Sequence, residues 1–412
     1  MTAPIHDFIV KYAGSDFERC HTPGHKGFFN HFDITEISGA IDIIKESERN
    51  SAGLFGAGRT LFSCSGSTLA IFSMLSFCAN KRVTAIRGTH RSFIDAAILL
   101  GFDIDWISPD SSVEETVTLD TAAVFVTSID YYGKMCDIQT TAEICEKLKL
   151  PLLADNAHGA YLVFTDAHPI RSGASMSADS AHKTLPALTG AAYLHIAERF
   201  TGKFTKPAND AMNLFGTSSP SYLILDSLDL CNLHIANEKE RAETAFSAVL
   251  HLKENLIKIG YSLCKSDLLR ITIDANAYGY SGADCAGELR QRGIICEMYD
   301  ARYVILMFST ITSSENTEKV FNAMRDIPQK QEIPPVITGG NHPLDVCMSP
   351  SEAYFSPKQS VPVLEAVGEI CAGVHVIVPP CAPPVIPGET VSEEIAWLLE
   401  TSGVHQIDII SV

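Results

Sequence analysis

Four short segments of the 412-residue chain combine residue types that could hold and activate a small reactive molecule. Ser180-Ala181-His182-Lys183-Thr184 sets a lysine among small and apolar neighbours, beside a hydroxyl and an imidazole. A lone lysine is nearly always a solvated surface residue. Partial burial next to positive charge lowers a lysine's pKa and makes it a nucleophile toward an aldehyde. Leu152-Leu153-Ala154-Asp155-Asn156-Ala157-His158-Gly159 places Asp155 at the end of an apolar run. A carboxylate there can hold a pyridine nitrogen protonated and make the ring an electron sink, although an isolated Asp more often caps the next turn. Cys64-Ser65-Gly66-Ser67-Thr68 offers hydroxyls and backbone N–H groups at a helix start, which suits a phosphate as well as a simple N-cap. Gly88-Thr89-His90-Arg91-Ser92 supplies an imidazole able to stack on a planar ring, or simply to hydrogen-bond within a loop.

The elements that must position these residues alternate between residues 60 and 195. Ser67 to Ala79 reads as an apolar helix, RVTAIRG as a strand, SFIDAAILLGF as a helix, and DIDWIS and AAVFVTS as strands. TTAEICEKLKL is an amphipathic helix ended by Pro151, LPLLAD a strand, ADSAHKTLPALTG a loop and AAYLHI a strand. Continuous apolar strands with intervening helices predict a mostly parallel sheet covered on both faces. All four segments then fall at carboxyl ends of strands, where open α/β sheets bind ligands. In chain order they could anchor a phosphorylated pyridine at its phosphate, ring face, ring nitrogen and aldehyde carbon. Asn209 to about Glu254 reads as long helix. ITIDA, the helix DCAGELRQRG, IICEMY and YVILMFS follow as a smaller α+β unit, and residues 327–362 read as an irregular connection.

Composition narrows the partners. A formal net charge of -18 repels nucleic-acid phosphates and anionic membranes, so the expected partner is a small molecule, with no nucleic acid and no membrane. The twelve cysteines are scattered with no CxxC pair and read as small hydrophobes in a reduced, cytoplasmic setting. The first residues lack the basic-then-apolar pattern of a signal peptide. His21 and His25 are separated by Pro23 and Gly24, and no HExxH occurs, so no metal site is expected.

With these residues in hand, the chain resembles the bacterial ornithine/lysine/arginine decarboxylases over nearly its whole length. Cys20-His21-Thr22-Pro23-Gly24-His25-Lys26-Gly27 matches that family's HTPGHKG signature, and Asp33-Ile34-Thr35-Glu36 a DxTE element. Gly66-Ser67-Thr68, Thr89 to Ser92, Tyr132-Gly133, Asp155 to Gly159, Ser180 to Leu185 and Ser218 to Tyr222 follow in family order. The chain is similar to the short, biosynthetic-type form without a wing domain.

The resemblance implies an α/β, aspartate-aminotransferase-like fold (pyridoxal-phosphate fold type I). Its expected divisions are an N-terminal segment (1–34), a cofactor-binding large domain (35–240) and a small C-terminal domain (241–412). The cofactor it implies is pyridoxal 5'-phosphate (PLP), held as a Schiff base on Lys183. Asp155 would pair with the ring nitrogen, His90 would stack on the ring, and His158 would sit near the phenolic oxygen. Ser67, Thr68 and Ser180 would bind the phosphate, with His182 beside it. Thr217 or Ser218 would reach the phosphate of a partner subunit in a homodimer or higher homo-oligomer. The activity implied is decarboxylation of a basic amino acid through external aldimine and quinonoid, in polyamine biosynthesis.

The carboxyl-terminal region departs from the family's pattern. Gly373 stands where the family carries Glu, Val378 replaces a Tyr, Cys381 replaces a Gly, and Asn156 replaces a Glu, while Pro387-Gly388-Glu389 is retained. Glu297 and Asp300 are then candidate partners for a substrate cation, or members of an ordinary turn. Other readings are a PLP-dependent lyase or aminotransferase for a less basic amino acid, or a catalytically silent regulatory homologue. No Arg follows Arg325 to clamp an α-carboxylate from the C-terminal region, which leans against transamination. The silent reading predicts loss of Lys183 or Asp155, and both are present.

Overall fold

Short apolar runs between residues 59 and 196 assemble into one seven-stranded sheet. In chain order its strands are β1 (Arg59–Ser63), β2 (Arg82–Ile86), β3 (Asp103–Ile107), β4 (Thr121–Thr127), β5 (Leu152–Asp155), β6 (Met176–Asp179) and β7 (Ala192–Ile196). The computed structural model describes residues 1–15, 19–34, 40–108, 111–334, 344–377 and 382–411. The spatial order is β1-β7-β6-β5-β4-β2-β3. Every pairing is parallel except those of β7, which runs against both β6 and β1. Because β1 and β6 each oppose β7, they run the same way. The carboxyl ends of β1, β2, β4, β5 and β6 therefore share one edge of the sheet.

Helices cover both faces, which is why the strands carry few polar side chains. Leu61, Val83, Phe125, Leu153 and Met176 pack with the helices Gly66–Leu75 and Arg91–Leu100 on one face. Val124, Val126, Leu152 and Ala154 pack with the helix Ile138–Leu148 on the other. Each fully buried side chain of this size contributes about 1.5–3 kcal/mol.

A second, antiparallel sheet follows, with strands β8 (Leu263–Cys264), β9 (Arg270–Asp274), β10 (Met298–Tyr299) and β11 (Tyr303–Met307) in the order β10-β11-β9-β8. A two-stranded sheet pairs β12 (Lys358–Pro362) with β13 (Gln406–Ile410).

The fold corrects three local expectations. The long helix over 209–254 is three helices, Thr201–Phe215, Tyr222–Asn237 and Lys239–Lys258. The first break falls at Gly216, and Pro220 cannot carry a helix across it. The loop expected over 178–190 begins inside β6 and contains a helical turn, Ala181–Thr184, that carries Lys183. β6 is only four residues long and half polar (MSAD), so no apolar run announces it. The connection over 327–362 contains the capped helix Pro350–Phe355 and strand β12.

Candidate functional site

Lys183 sits on the turn after β6, and its Nζ lies 3.1 Å from His158 Nε2. His158 follows β5 by three residues and is buried. Burial holds its pKa well below the ordinary imidazole value, and the nearby Lys183 pushes it the same way. A neutral His158 that accepts from a Lys183 ammonium through Nε2 carries its hydrogen on Nδ1. That Nδ1 is buried and has no hydrogen-bond partner among the described residues. Tyr131, four residues past the end of β4, packs edge-on against His158 at 4.5 Å between ring centroids. Its ring also faces Lys183 Nζ at 5.5 Å.

Asp155 ends β5 and is buried; its Oδ1 accepts from the Ala157 N–H at 3.0 Å. Burial pushes its carboxyl above the ordinary range, against the pull of His90, the Ala157 N–H and Lys183. His90 caps the helix Arg91–Leu100, and its Nδ1 accepts from the Ser92 N–H at 3.2 Å. Nδ1 also lies 2.8 Å from Ser92 Oγ. Burial lowers the His90 pKa, and the Asp155 charge works against that. Asp155 and His90 thus sense each other across the sheet edge.

At the start of the helix Gly66–Leu75, Ser67 Oγ accepts from Ser180 Oγ at 2.9 Å, joining the ends of β1 and β6. Gly66 turns with φ 70 and donates its N–H to Gly190 O, which frees the helix start to face outward. Thr68 is exposed beside it. His182 Nδ1 donates to Ala191 O at 2.9 Å, which anchors the Lys183 turn to the start of β7. Burial lowers the His182 pKa. Thr217 and Ser218 lie exposed in the loop after the helix Thr201–Phe215. Among the described residues neither is hydrogen-bonded to Ser67, Thr68 or Ser180.

The donor set fits a phosphorylated pyridine aldehyde. Among the described residues it holds paired hydroxyls at a helix N-terminus, a buried carboxylate with one hydrogen-bond donor, a buried imidazole nitrogen without a hydrogen-bond partner, and an amine within reach of that imidazole. Sequence reasoning missed Tyr131, whose signal was its place beside Tyr132-Gly133 after a strand end.

The candidate cation partners fare differently. Glu297 is exposed. Asp300 caps the turn between β10 and β11, accepting from the N–H groups of Arg302 and Tyr303 and from Tyr132 Oη. Asn156 is buried and bonded to Ser128 and Asp179, on the face away from Asp155. Gly373 packs against His375 and Asp408. Val378, Cys381, Thr35 and Glu36 lie outside the described residues. Among the described residues eleven cysteines are free; five are buried as small hydrophobes, while Cys20 and Cys347 are exposed.

Comparisons with known proteins agree with this geometry. Residues 110–272 match the family Orn/Lys/Arg decarboxylase, major domain. The chain is 25% identical to an arginine decarboxylase of Bacillus subtilis over 95% of its own length and 91% of the relative's. It superposes on the crystal structure of a Francisella novicida lysine decarboxylase with a TM-score of 0.83 at 16% identity, covering 99% of this chain and 81% of that one. A serine palmitoyltransferase of Sphingomonas wittichii superposes at 0.57 and 13% identity, over 68% of this chain and 75% of that one. The fold is that of the PLP enzymes of fold type I. No described helix is long and apolar enough to cross a membrane.

Proposed function

We propose, for a chain related to the Orn/Lys/Arg decarboxylases, that it is a PLP-dependent decarboxylase of a basic amino acid. The observation that carries this reading is the placement of Lys183 against a buried, neutral His158, at the same sheet edge as buried Asp155.

The bound cofactor supplies an aldehyde carbon that condenses with amines and a ring that accepts the electrons of a broken bond. The protein's own groups do the rest. Ser67, Thr68 and Ser180 hold the phosphate at a helix N-terminus, where the dipole favours an anion. Asp155 would accept a hydrogen bond from the protonated ring nitrogen and, being buried, keep that charge pair out of water. His90 would cover one ring face. His158 would donate Nδ1–H to the phenolic oxygen while its Nε2 accepts a hydrogen bond from the Lys183 ammonium, so that lysine and imidazole form one hydrogen-bonded line. Tyr131 closes the side of that line against solvent. Lys183, holding its proton against His158, would be the group placed to give a proton to the substrate carbon. The same reading assigns the protein to polyamine-forming metabolism in the cytoplasm. It makes the protein a homodimer or higher homo-oligomer in which Thr217 or Ser218 would reach the partner's phosphate site.

Absorbance and gas release test this. Purified protein loaded with PLP should show a visible band that borohydride abolishes and that Lys183→Ala lacks. Radiolabelled CO₂ should be released from arginine, lysine or ornithine. A loaded protein that accumulates keto acids without CO₂ would point to transamination, and one that does neither would point to a silent homologue.

A further inference from the structure

A closed polar cluster lies behind the sheet, and the proposed chemistry leaves it unused. Asp155 pairs in register with Ala178, so those two side chains share a face while Asn156 and Asp179 project from the other. Asp179 is fully buried. Its Oδ2 accepts from Asn156 Nδ2 at 2.6 Å and from His168 Nε2 at 3.0 Å, and its Oδ1 accepts from Ser177 Oγ at 2.5 Å. Asn156 Oδ1 accepts from Ser128 Oγ, and the Ser128 N–H returns to Asp155 O at 2.9 Å. The cluster is thus tied into the strand that ends on Asp155.

His168, Asp179 and His195 place their donor atoms within 4.8 Å of one another, a grouping that could hold a metal ion. Hydrogen bonding argues otherwise. The Ile170 N–H donates to His168 Nδ1, so the ring's hydrogen is on Nε2, where it is given to Asp179. A protonated Nε2 has no lone pair for a metal. The cluster is instead a device for keeping Asp179 ionised. Burial opposes that charge, but His168 and the hydrogen bonds from His168 and Ser177 outweigh it, and the Asp179 pKa falls below the ordinary carboxylate value.

We propose that Asp179 is a positioning residue for the cofactor. Held as a carboxylate behind β5, it fixes Asn156 and adds negative charge that keeps the Asp155–pyridine nitrogen pair protonated. The proposal rests on the function assigned above. Among the described residues, the groups facing Asp179 are His168, His195, Tyr193, Asn156 and Ser177, and none is a fixed cation. His90 and Lys183 lower the proton affinity of Asp155, while Asp179 raises it.

Asp179→Asn isolates the charge. An Asn oxygen in place of Oδ2 still accepts from His168 and Asn156, and its amide in place of Oδ1 donates to Ser177 Oγ. All three hydrogen bonds survive and only the charge is lost. In PLP-loaded protein, the pH midpoint of the visible band should fall by about half to one unit, the effect of a unit charge some ~10 Å away at an intermediate dielectric. The ¹⁵N resonance of labelled cofactor should move toward that of neutral pyridine. His168→Phe, which removes the donor that keeps Asp179 ionised, should move both signals the same way, and it decides the matter if Asp179→Asn does not fold. Wild-type protein that takes up no cofactor overturns both the proposed function and this inference. A loaded wild type whose midpoint and ¹⁵N shift are matched by the variants overturns this inference alone.

Discussion

The retained Pro387-Gly388-Glu389 motif has a structural meaning that can be measured. Glu389 and Arg87 form an ion pair with side chains 1% and 9% exposed. Arg87 starts the turn that leads from β2 to His90, so the pair straps the carboxyl-terminal region to the candidate site. Both carboxylate oxygens are doubly engaged. Oε1 accepts from Arg87 and from Trp106 Nε1 at 3.0 Å. Oε2 accepts from Arg87 at 3.2 Å and from the Ile386 N–H at 3.0 Å. Glu389→Gln must therefore aim an amide N–H₂ at two donors, whichever way it is turned, and leave Arg87 buried without a counter-charge. Breaking one partner of a buried pair costs about 3–5 kcal/mol. Replacing both by apolar residues should cost much less, so Arg87→Met with Glu389→Leu should recover part of the loss. Urea unfolding followed by the fluorescence of Trp106, which touches both partners, reports the transition. A Glu389→Gln protein within 1 kcal/mol of wild type would refute the account.

Two further outcomes follow from buried groups. Burial depresses the His195 pKa to about 3, so the unfolded chain binds its proton first as pH falls. Stability from this residue is complete above about pH 6.5 and is lost as pH drops toward 3, by about 3 kcal/mol at pH 4.5. His195→Gln should accordingly be closer to wild type in urea midpoint at pH 4.5 than at pH 7; an unchanging gap would contradict this. Gly159 packs on Asn156, with Oδ1 only 2.0 Å from where a Cβ would stand. Gly159→Ala should displace Asn156 from Ser128 and Asp179 and cost about 2–3 kcal/mol, read as a lowered melting temperature. An unchanged melting temperature would show that Asn156 has room to move.

The mostly parallel sheet was legible because its strands are covered on both faces and so read as unbroken apolar runs. β6 was not, since Ser177 and Asp179 fill two of its four positions with the polar cluster behind the sheet. Lys183, Asp155, His90 and Ser67 were legible as candidates because each ends a strand or follows one within four residues, a local property of the sequence. Tyr131 and Asp179 were not, because their contacts with His158 and Asn156 join segments more than twenty residues apart. The roles of Glu297 and Asp300 depended on turn geometry that composition does not encode. Asp300 is consumed by capping its own turn.

Local packing also decides what position 373 can hold. A Cβ on Gly373 would stand 2.5 Å from His375 Nε2 and 3.1 Å from Asp408 Oδ2. His375 Nε2 accepts from the Asp408 N–H at 2.9 Å, and burial lowers the His375 pKa so that the ring stays an acceptor. The glycine is thus part of a repacked corner in which an imidazole occupies the space a side chain would need. Gly373→Glu should therefore not regain a carboxylate for a cationic substrate. It should break the His375–Asp408 bond, worth about 1 kcal/mol, and add a clash of similar or larger cost. The expected result is a lower melting temperature and no gain in kcat/KM for arginine, lysine or ornithine. A variant that gains tenfold toward any of the three would mean that the corner opens toward the substrate. Without that gain, charge recognition of the distal group must come from residues other than the one at position 373.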